Sequence, residues 1–197
     1  MNLPNKLTLS RFVLTVAFLV VMFSQIHFHE TIALILFSAA GISDFLDGQI
    51  ARRRKLITNF GILMDPLADK IMVCSAFISF VGLHWIAAWM VVIVVARELA
   101  ITGLRLLAAS KNVVLAAEGY GKHKTISQIV AIIAILVLHS YKEWGTLGAY
   151  TFGLHIIWDK PWVEWFTEAS KWVAVGLTFI SGWLYLWKNR GLYLQDL

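Results

Sequence analysis

The chain has 197 residues, of which 59% are hydrophobic and 15% charged, with a net charge of +5 and a mean hydropathy of +0.72. That is too apolar for a water-soluble domain of this length and predicts an all-α integral membrane protein, a single domain over residues 1–197. Lys and Arg fall in short clusters between apolar runs rather than along one basic face, which excludes nucleic acid as a partner, and the single cysteine, Cys74, excludes a disulfide framework or a CxxC-type metal site.

The segment Asn2-Leu-Pro-Asn5-Lys6-Leu-Thr8-Leu-Ser-Arg11 is too polar to span and is predicted to form a short N-terminal interfacial helix. Six apolar windows follow, at about 10–27, 31–53, 61–83, 85–108, 125–141 and 168–188, each near the ~20 residues that a transmembrane helix needs at ~1.5 Å per residue. Lys6 and Arg11 ahead of Phe12 to Phe23 mimic a signal peptide, but no small-x-small cleavage site follows, so the first span is read as retained.

The connector after the second span carries Arg52, Arg53, Arg54 and Lys55, and the connector after the fourth carries Lys111, Lys122 and Lys124. By the positive-inside rule both face the cytoplasm, as do both termini. The opposite connectors lack basic residues or, at 140–167, have Lys142 and Lys160 outnumbered by acids. That long connector also holds Trp144, Trp158, Trp162 and Trp165, an aromatic belt suited to the outer interface.

Within the second and third apolar windows stand four carboxylates, Asp44, Asp47, Asp65 and Asp69. An ionised Asp at mid-bilayer costs about 3 kcal/mol or more, so four together require compensating cations or water. Helical spacing puts Asp44 and Asp47 on one face, and Asp65 and Asp69 on another. The short link from Arg53 to Phe60 makes the two helices candidate antiparallel neighbours, with Asp47 meeting Asp65, and Asp44 meeting Asp69 about 5 Å deeper.

Hard oxygen ligands of this kind suit Mg²⁺ or Mn²⁺ rather than zinc. Two such ions about 3.5 to 4 Å apart stabilise the attacking and leaving oxygens of a displacement at phosphorus. Gly48 and Ala51 leave the neighbouring surface without bulk, either for a ligand or for helix packing.

The pattern D-x2-D-G-x2-A-R-x8-G-x3-D-x3-D is matched at every defined position by Asp44, Asp47, Gly48, Ala51, Arg52, Gly61, Asp65 and Asp69. In this the chain resembles the CDP-alcohol phosphatidyltransferases, whose members displace CMP from a CDP-linked lipid with an alcohol. The leader Leu3 to Arg11, the run Ala96-Arg97-Glu98 to Arg105 and the run Gly121-Lys122-His123-Lys124 to Gln128 extend the likeness to members that take sn-glycerol 3-phosphate as acceptor and yield phosphatidylglycerophosphate. Together these stretches cover roughly residues 1–130.

The resemblance implies two divalent ions on Asp44, Asp47, Asp65 and Asp69, with Asp69 also the general base. It implies a CDP-diacylglycerol site on Asn5, Thr8, Asp44, Asp47, Gly48, Ala51 and Arg52, and a homodimer among membrane lipids in a bacterial plasma membrane, the active site opening to the cytoplasm.

For the acceptor there is a separate physical argument. Glycerol 3-phosphate carries about two negative charges, so its pocket needs cations distinct from the metals, and Arg97, Arg105, Lys122 and Lys124 are the candidates. Arg97 lies about two turns inside the fourth span, where an arginine faces a polar interior, with Glu98 as a neighbouring counter-charge. Lys122 and Lys124 also suit topology and anionic lipid contact. Rival readings are a family member with a different acceptor alcohol and, outside the family, a divalent-cation transporter; aspartate-rich prenyltransferases are disfavoured because no DDxxD occurs.

Overall fold

The structure, a computed structural model, describes residues 3–24, 26–54, 59–111, 113, 120–157 and 160–194, with the backbone alone at 3–8, 44–54, 59–66, 69, 120–122, 155–157 and 194. The described chain is almost wholly helical. It runs through α1 (Leu3–Met22), α2 (His29–Arg54), α3 (Asn59–Gly82), α4 (Ala88–Ser110) and α5 (Tyr120–Ser140). A 3-10 turn at Tyr141–Trp144 leads to α6 (Gly145–Phe152), then to a small antiparallel hairpin of β1 (His155–Ile157) and β2 (Lys160–Pro161), and then to α7 (Trp162–Lys188) and α8 (Gly191–Leu194).

Six of these helices, α1 to α5 and α7, have 20 to 27 residues. At about 1.5 Å per residue each is about 30 Å or more long. Among the described residues, one helical stretch, His123–Phe152, is both long and apolar enough to cross a membrane by length and composition, and the apolar segments Leu9–Met22, His29–Ser43 and Lys70–Gly82 are shorter. The ionisable residues of the other helices, such as Arg97, Glu98 and Arg105 in α4, interrupt their apolar runs.

The predicted division of the N-terminus into an interfacial helix and a first span is not seen, because α1 is continuous from Leu3 to Met22. Pro4 falls in the first turn, where its missing N–H costs nothing, and no Gly or Pro interrupts Lys6 to Met22. In α3 the reverse holds. Pro66 lies inside the helix, directly after Asp65, and removes one backbone donor there.

Helix α1 packs on both α2 and α3, α5 packs on α2, α3 and α7, and α4 lies against α3 and α7. The core is built from Phe18 and Met22 of α1, Phe37 of α2, Phe77 and Phe80 of α3, Val94 of α4, and Ile132, Ile135 and Leu136 of α5, all buried. Ala33, Ala40, Ala76 and Ala131, each with no exposed surface, sit at the same seams and let the helices approach closely. Facing outward are Val13, Val16, Val20, Ile35, Ile78, Val92, Leu99, Leu106, Phe179, Trp183 and Trp187. So much exposed apolar surface on several helices is what a membrane-associated bundle presents.

At the end of the bundle marked by Gly82, Trp85 stacks on His139 with ring centroids 3.6 Å apart and also stacks on Phe80 at 5.6 Å. Lys171 of α7 donates to the Trp85 carbonyl at 3.2 Å and pairs with Glu168. The connector expected as an aromatic belt packs on its own rings. Trp144, Phe152, Trp162 and Phe166 form a chain of ring contacts, and Trp162 Nε1 donates to the Thr151 carbonyl at 2.9 Å. Gly145, with φ +60°, joins the 3-10 turn to α6 in a conformation that other residues rarely adopt.

Candidate active site

The backbone places Asp44, Asp47, Gly48, Ala51 and Arg52 on α2 and Gly61, Asp65 and Asp69 on α3, so both halves of the motif are helical as their spacing predicts. Two carboxylates one turn apart on each helix make a hard-oxygen donor set that fits Mg²⁺ or Mn²⁺. The side chains of these residues, and those of Asn5, Thr8 and Lys122, lie outside the described ones. The predicted meeting of Asp47 with Asp65 and of Asp44 with Asp69 therefore concerns positions that the description does not reach.

The basic part of the site is described. Arg97, on α4, has a side chain 12% exposed and places Nη1 3.4 Å from Glu98 Oε1, the counter-charge expected from sequence. Glu98 is also paired with Lys124 Nζ of α5, and both side chains are below 10% exposed. One carboxylate thus serves two cations from two helices. Lone buried charges are costly, and this arrangement leaves Glu98 compensated while the Arg97–Lys124 side of the cluster keeps a net positive charge.

Two further contacts fix this cluster relative to α3. Thr102 Oγ1 donates to the Glu98 carbonyl at 2.7 Å, one turn back along α4, and itself accepts a hydrogen bond from Lys70 Nζ. Lys70 follows Asp69 in the chain, so the helix that carries the motif's last acid is tied to the helix that carries Arg97 and Glu98. Lys70 thus reaches a hydroxyl on the next helix. The signal for it was the spacing of Glu98 and Thr102, four residues apart, which brings a threonine hydroxyl back onto the preceding carbonyl.

Arg97 is shaped from the other side by α7. A Cβ built at Gly182 would fall 2.7 Å from Arg97 Cγ, so the arginine stem occupies the space of a missing side chain. Its Nε is buried with no hydrogen-bond partner among the described residues. Arg97 also lines an apolar cavity of about 280 Å³ with Val92, Ile93, Phe179 and Trp183 between α4 and α7. Below it on α4, Arg105 is more exposed and lies over the Tyr185 ring, 5.9 Å from its centroid. Gln128 Nε2 donates to Thr178 Oγ1 at 2.9 Å in the buried seam of α5 and α7, a link that sequence reading missed because its partners are 50 residues apart. His123 is exposed beside Lys124.

Comparison with known proteins accords with the motif. The match to the family described as CDP-alcohol phosphatidyltransferase spans residues 1–182. A CDP-diacylglycerol–glycerol-3-phosphate 3-phosphatidyltransferase of Bacillus subtilis is 38% identical, over 95% of this chain and 95% of its own length. Proteins of the same name from Cereibacter sphaeroides and Rickettsia bellii are each 32% identical, over 99% and 93% of this chain and 98% and 93% of their own lengths. The chain belongs to the CDP-alcohol phosphatidyltransferase family.

Proposed function

We propose that this protein transfers the phosphatidyl group of CDP-diacylglycerol to sn-glycerol 3-phosphate, giving phosphatidylglycerophosphate and CMP in phospholipid synthesis. The names of the relatives supply the reaction. The observation that carries it on this chain is the tie from Lys70, beside Asp69, through Thr102 to the buried Arg97–Glu98–Lys124 cluster. That tie holds the cation cluster against the helix bearing the acids, which supports a site for a phosphorylated acceptor there.

In this reading Asp44, Asp47, Asp65 and Asp69 hold two ions of Mg²⁺ or Mn²⁺. When bound, these polarise the diphosphate and offset the charge that develops on the departing CMP. Asn5, Thr8 and Arg52 contact the nucleotide end, and Gly48 and Ala51 leave room for it. Arg97 takes the acceptor phosphate as a planar fork, helped by Arg105, Lys122 and Lys124. Asp69 accepts the proton of the glycerol hydroxyl. The hydroxyl oxygen then bonds to the lipid-attached phosphorus, the bond from that phosphorus to the CMP oxygen breaks, and CMP carries away the electron pair.

The six long helices are read as membrane spans of one domain, with both termini and the basic connectors at 52–55 and 111–124 in the cytoplasm. The outward Val, Ile, Leu and Trp side chains support lipid contact. A homodimer in a bacterial plasma membrane follows from family likeness.

The test is CMP release from CDP-diacylglycerol by the purified protein in detergent, with Mg²⁺ or Mn²⁺ and one acceptor at a time. Release with glycerol 3-phosphate, and not with serine, inositol phosphate or phosphatidylglycerol, is the expected result. Release with another alcohol instead keeps the chemistry and overturns the acceptor. No release with any, together with metal flux into liposomes, would make the chain a transporter.

A further inference from the structure

A second group of metal-ligating side chains lies far from the aspartate motif. His29 and Glu30 open α2, and Glu143 belongs to the turn after α5; one ligand atom from each lies within 4.8 Å of the others. Glu30 is fourteen residues from Asp44 on the same helix, about 21 Å along its axis. The two places are therefore separate.

The imidazole is what distinguishes this group from an ordinary acidic patch. His29 Nδ1 lies 3.1 Å from the Ile26 carbonyl, which can only accept, so Nδ1 carries a proton. Its other nitrogen, Nε2, faces Glu30 Oε1 at 3.5 Å, where it can serve as a ligand once deprotonated. A divalent ion seated between them would take the place that a proton on Nε2 otherwise holds. A tetrahedral ion with bonds of about 2.0–2.1 Å separates its ligand atoms by about 3.3–3.4 Å, close to what His29 and Glu30 already show.

Glu143 is held in place for the same task. Its Oε2 accepts hydrogen bonds from the Thr31 amide at 3.3 Å and the Thr31 hydroxyl at 2.5 Å, and Trp144 Nε1 donates to that hydroxyl at 2.9 Å. Such outer partners orient ligating groups in metal sites, and Glu143 also shares a hydrogen bond with the Glu30 carboxyl, whose proton a bound ion would replace. A cavity of about 750 Å³ lined by Ser24, His27, His29, Lys142 and Glu143 adjoins them and has room for water as a further ligand.

We propose that His29, Glu30 and Glu143 form a divalent transition-metal site of zinc type that clasps the start of α2 to the turn after α5, apart from the aspartate motif. Two carboxylates neutralise the ion, and one imidazole favours Zn²⁺ over the Mg²⁺ suited to the motif. The site joins segments more than 110 residues apart in the chain, so its effect is to fasten that end of the bundle.

The full-length protein in detergent, with excess Mg²⁺ present to fill the aspartate motif, is titrated with Zn²⁺, and with Co²⁺ as a spectroscopic stand-in. The expected result is visible absorption of tetrahedral Co²⁺ and a Zn²⁺-dependent rise in Tm of about 5 °C or more at 100-fold excess over Kd. His29→Ala and Glu143→Gln should each abolish both signals while CMP release persists, which keeps loss of the site distinct from loss of the fold. No tetrahedral Co²⁺ signal in the unaltered protein, or the same signal in both variants, overturns the proposal. So does a Tm that responds to pH but not to Zn²⁺, since a protonated His29 paired with Glu30 would then explain the cluster.

Discussion

Gly182 of α7 lies so close to Arg97 of α4 that a Cβ there would stand 2.7 Å from the arginine Cγ. The side chain assigned to the acceptor phosphate is thus aimed by the absence of another. Gly182→Ala forces the stem of Arg97 aside, and overpacking of this kind costs about 1–3 kcal/mol. If that cost falls on acceptor recognition, kcat/KM for glycerol 3-phosphate drops about tenfold per 1.4 kcal/mol, with KM for CDP-diacylglycerol little changed. Initial rates of CMP release against acceptor concentration check this, and an unaltered kcat/KM removes Gly182 from the argument.

Glu98 compensates Arg97 and Lys124 together. Glu98→Gln leaves two cations facing one another in a buried setting, and breaking a buried pair from one side costs about 3–5 kcal/mol. The double variant Glu98→Gln/Lys124→Met should recover part of that loss. Thermal unfolding of the two single variants and the double one forms a cycle; strictly additive effects would contradict the pairing.

The Gln128–Thr178 bond is a purely structural counterpart. Thr178→Val should lower stability by about 0.6–1.7 kcal/mol, the scale of hydrogen bonds between membrane helices, and leave both KM values alone. A changed KM for glycerol 3-phosphate would mean that this seam belongs to the pocket.

Asn in place of Asp44, Asp47, Asp65 or Asp69 should each reduce CMP release by at least about 10³-fold, in keeping with losses seen when a single transition-state partner is removed. Chelation with EDTA should abolish activity in the unaltered protein, and Mg²⁺ or Mn²⁺ should restore it. Near-normal turnover in any one of the four variants sinks that residue's assignment.

Much of this was readable from residue order because local chemistry decides it. Asp44, Asp47, Asp65 and Asp69 declare their helices through spacing alone, and the predicted windows coincide with α1 to α5 and α7 to within several residues at most ends. The break expected after Arg11 failed since polarity by itself does not end a helix; a breaker or cap is needed, and none stands there. Residues 160–167 similarly looked like connector, yet Pro161 starts α7 six residues before the expected point, with Glu164 favourable in the first turn. Pairings such as Glu98 with Lys124, or Arg97 against Gly182, depend on which helices become neighbours, and periodicity within one helix carries no information about that.

The stacked Phe80, Trp85 and His139, with Lys171 latched onto the Trp85 carbonyl, close the end of the bundle remote from the motif, and Phe18, Phe37 and Phe77 fill its middle. Among the described residues, these rings and apolar side chains stand between that end and the helices' motif-bearing end. The expected consequence for lipid traffic is sidedness: product should stay in the leaflet of its donor, and a quencher confined to one face of a vesicle should report labelled product in that leaflet alone. With that outcome, populating the other leaflet would be work for separate lipid-translocating machinery.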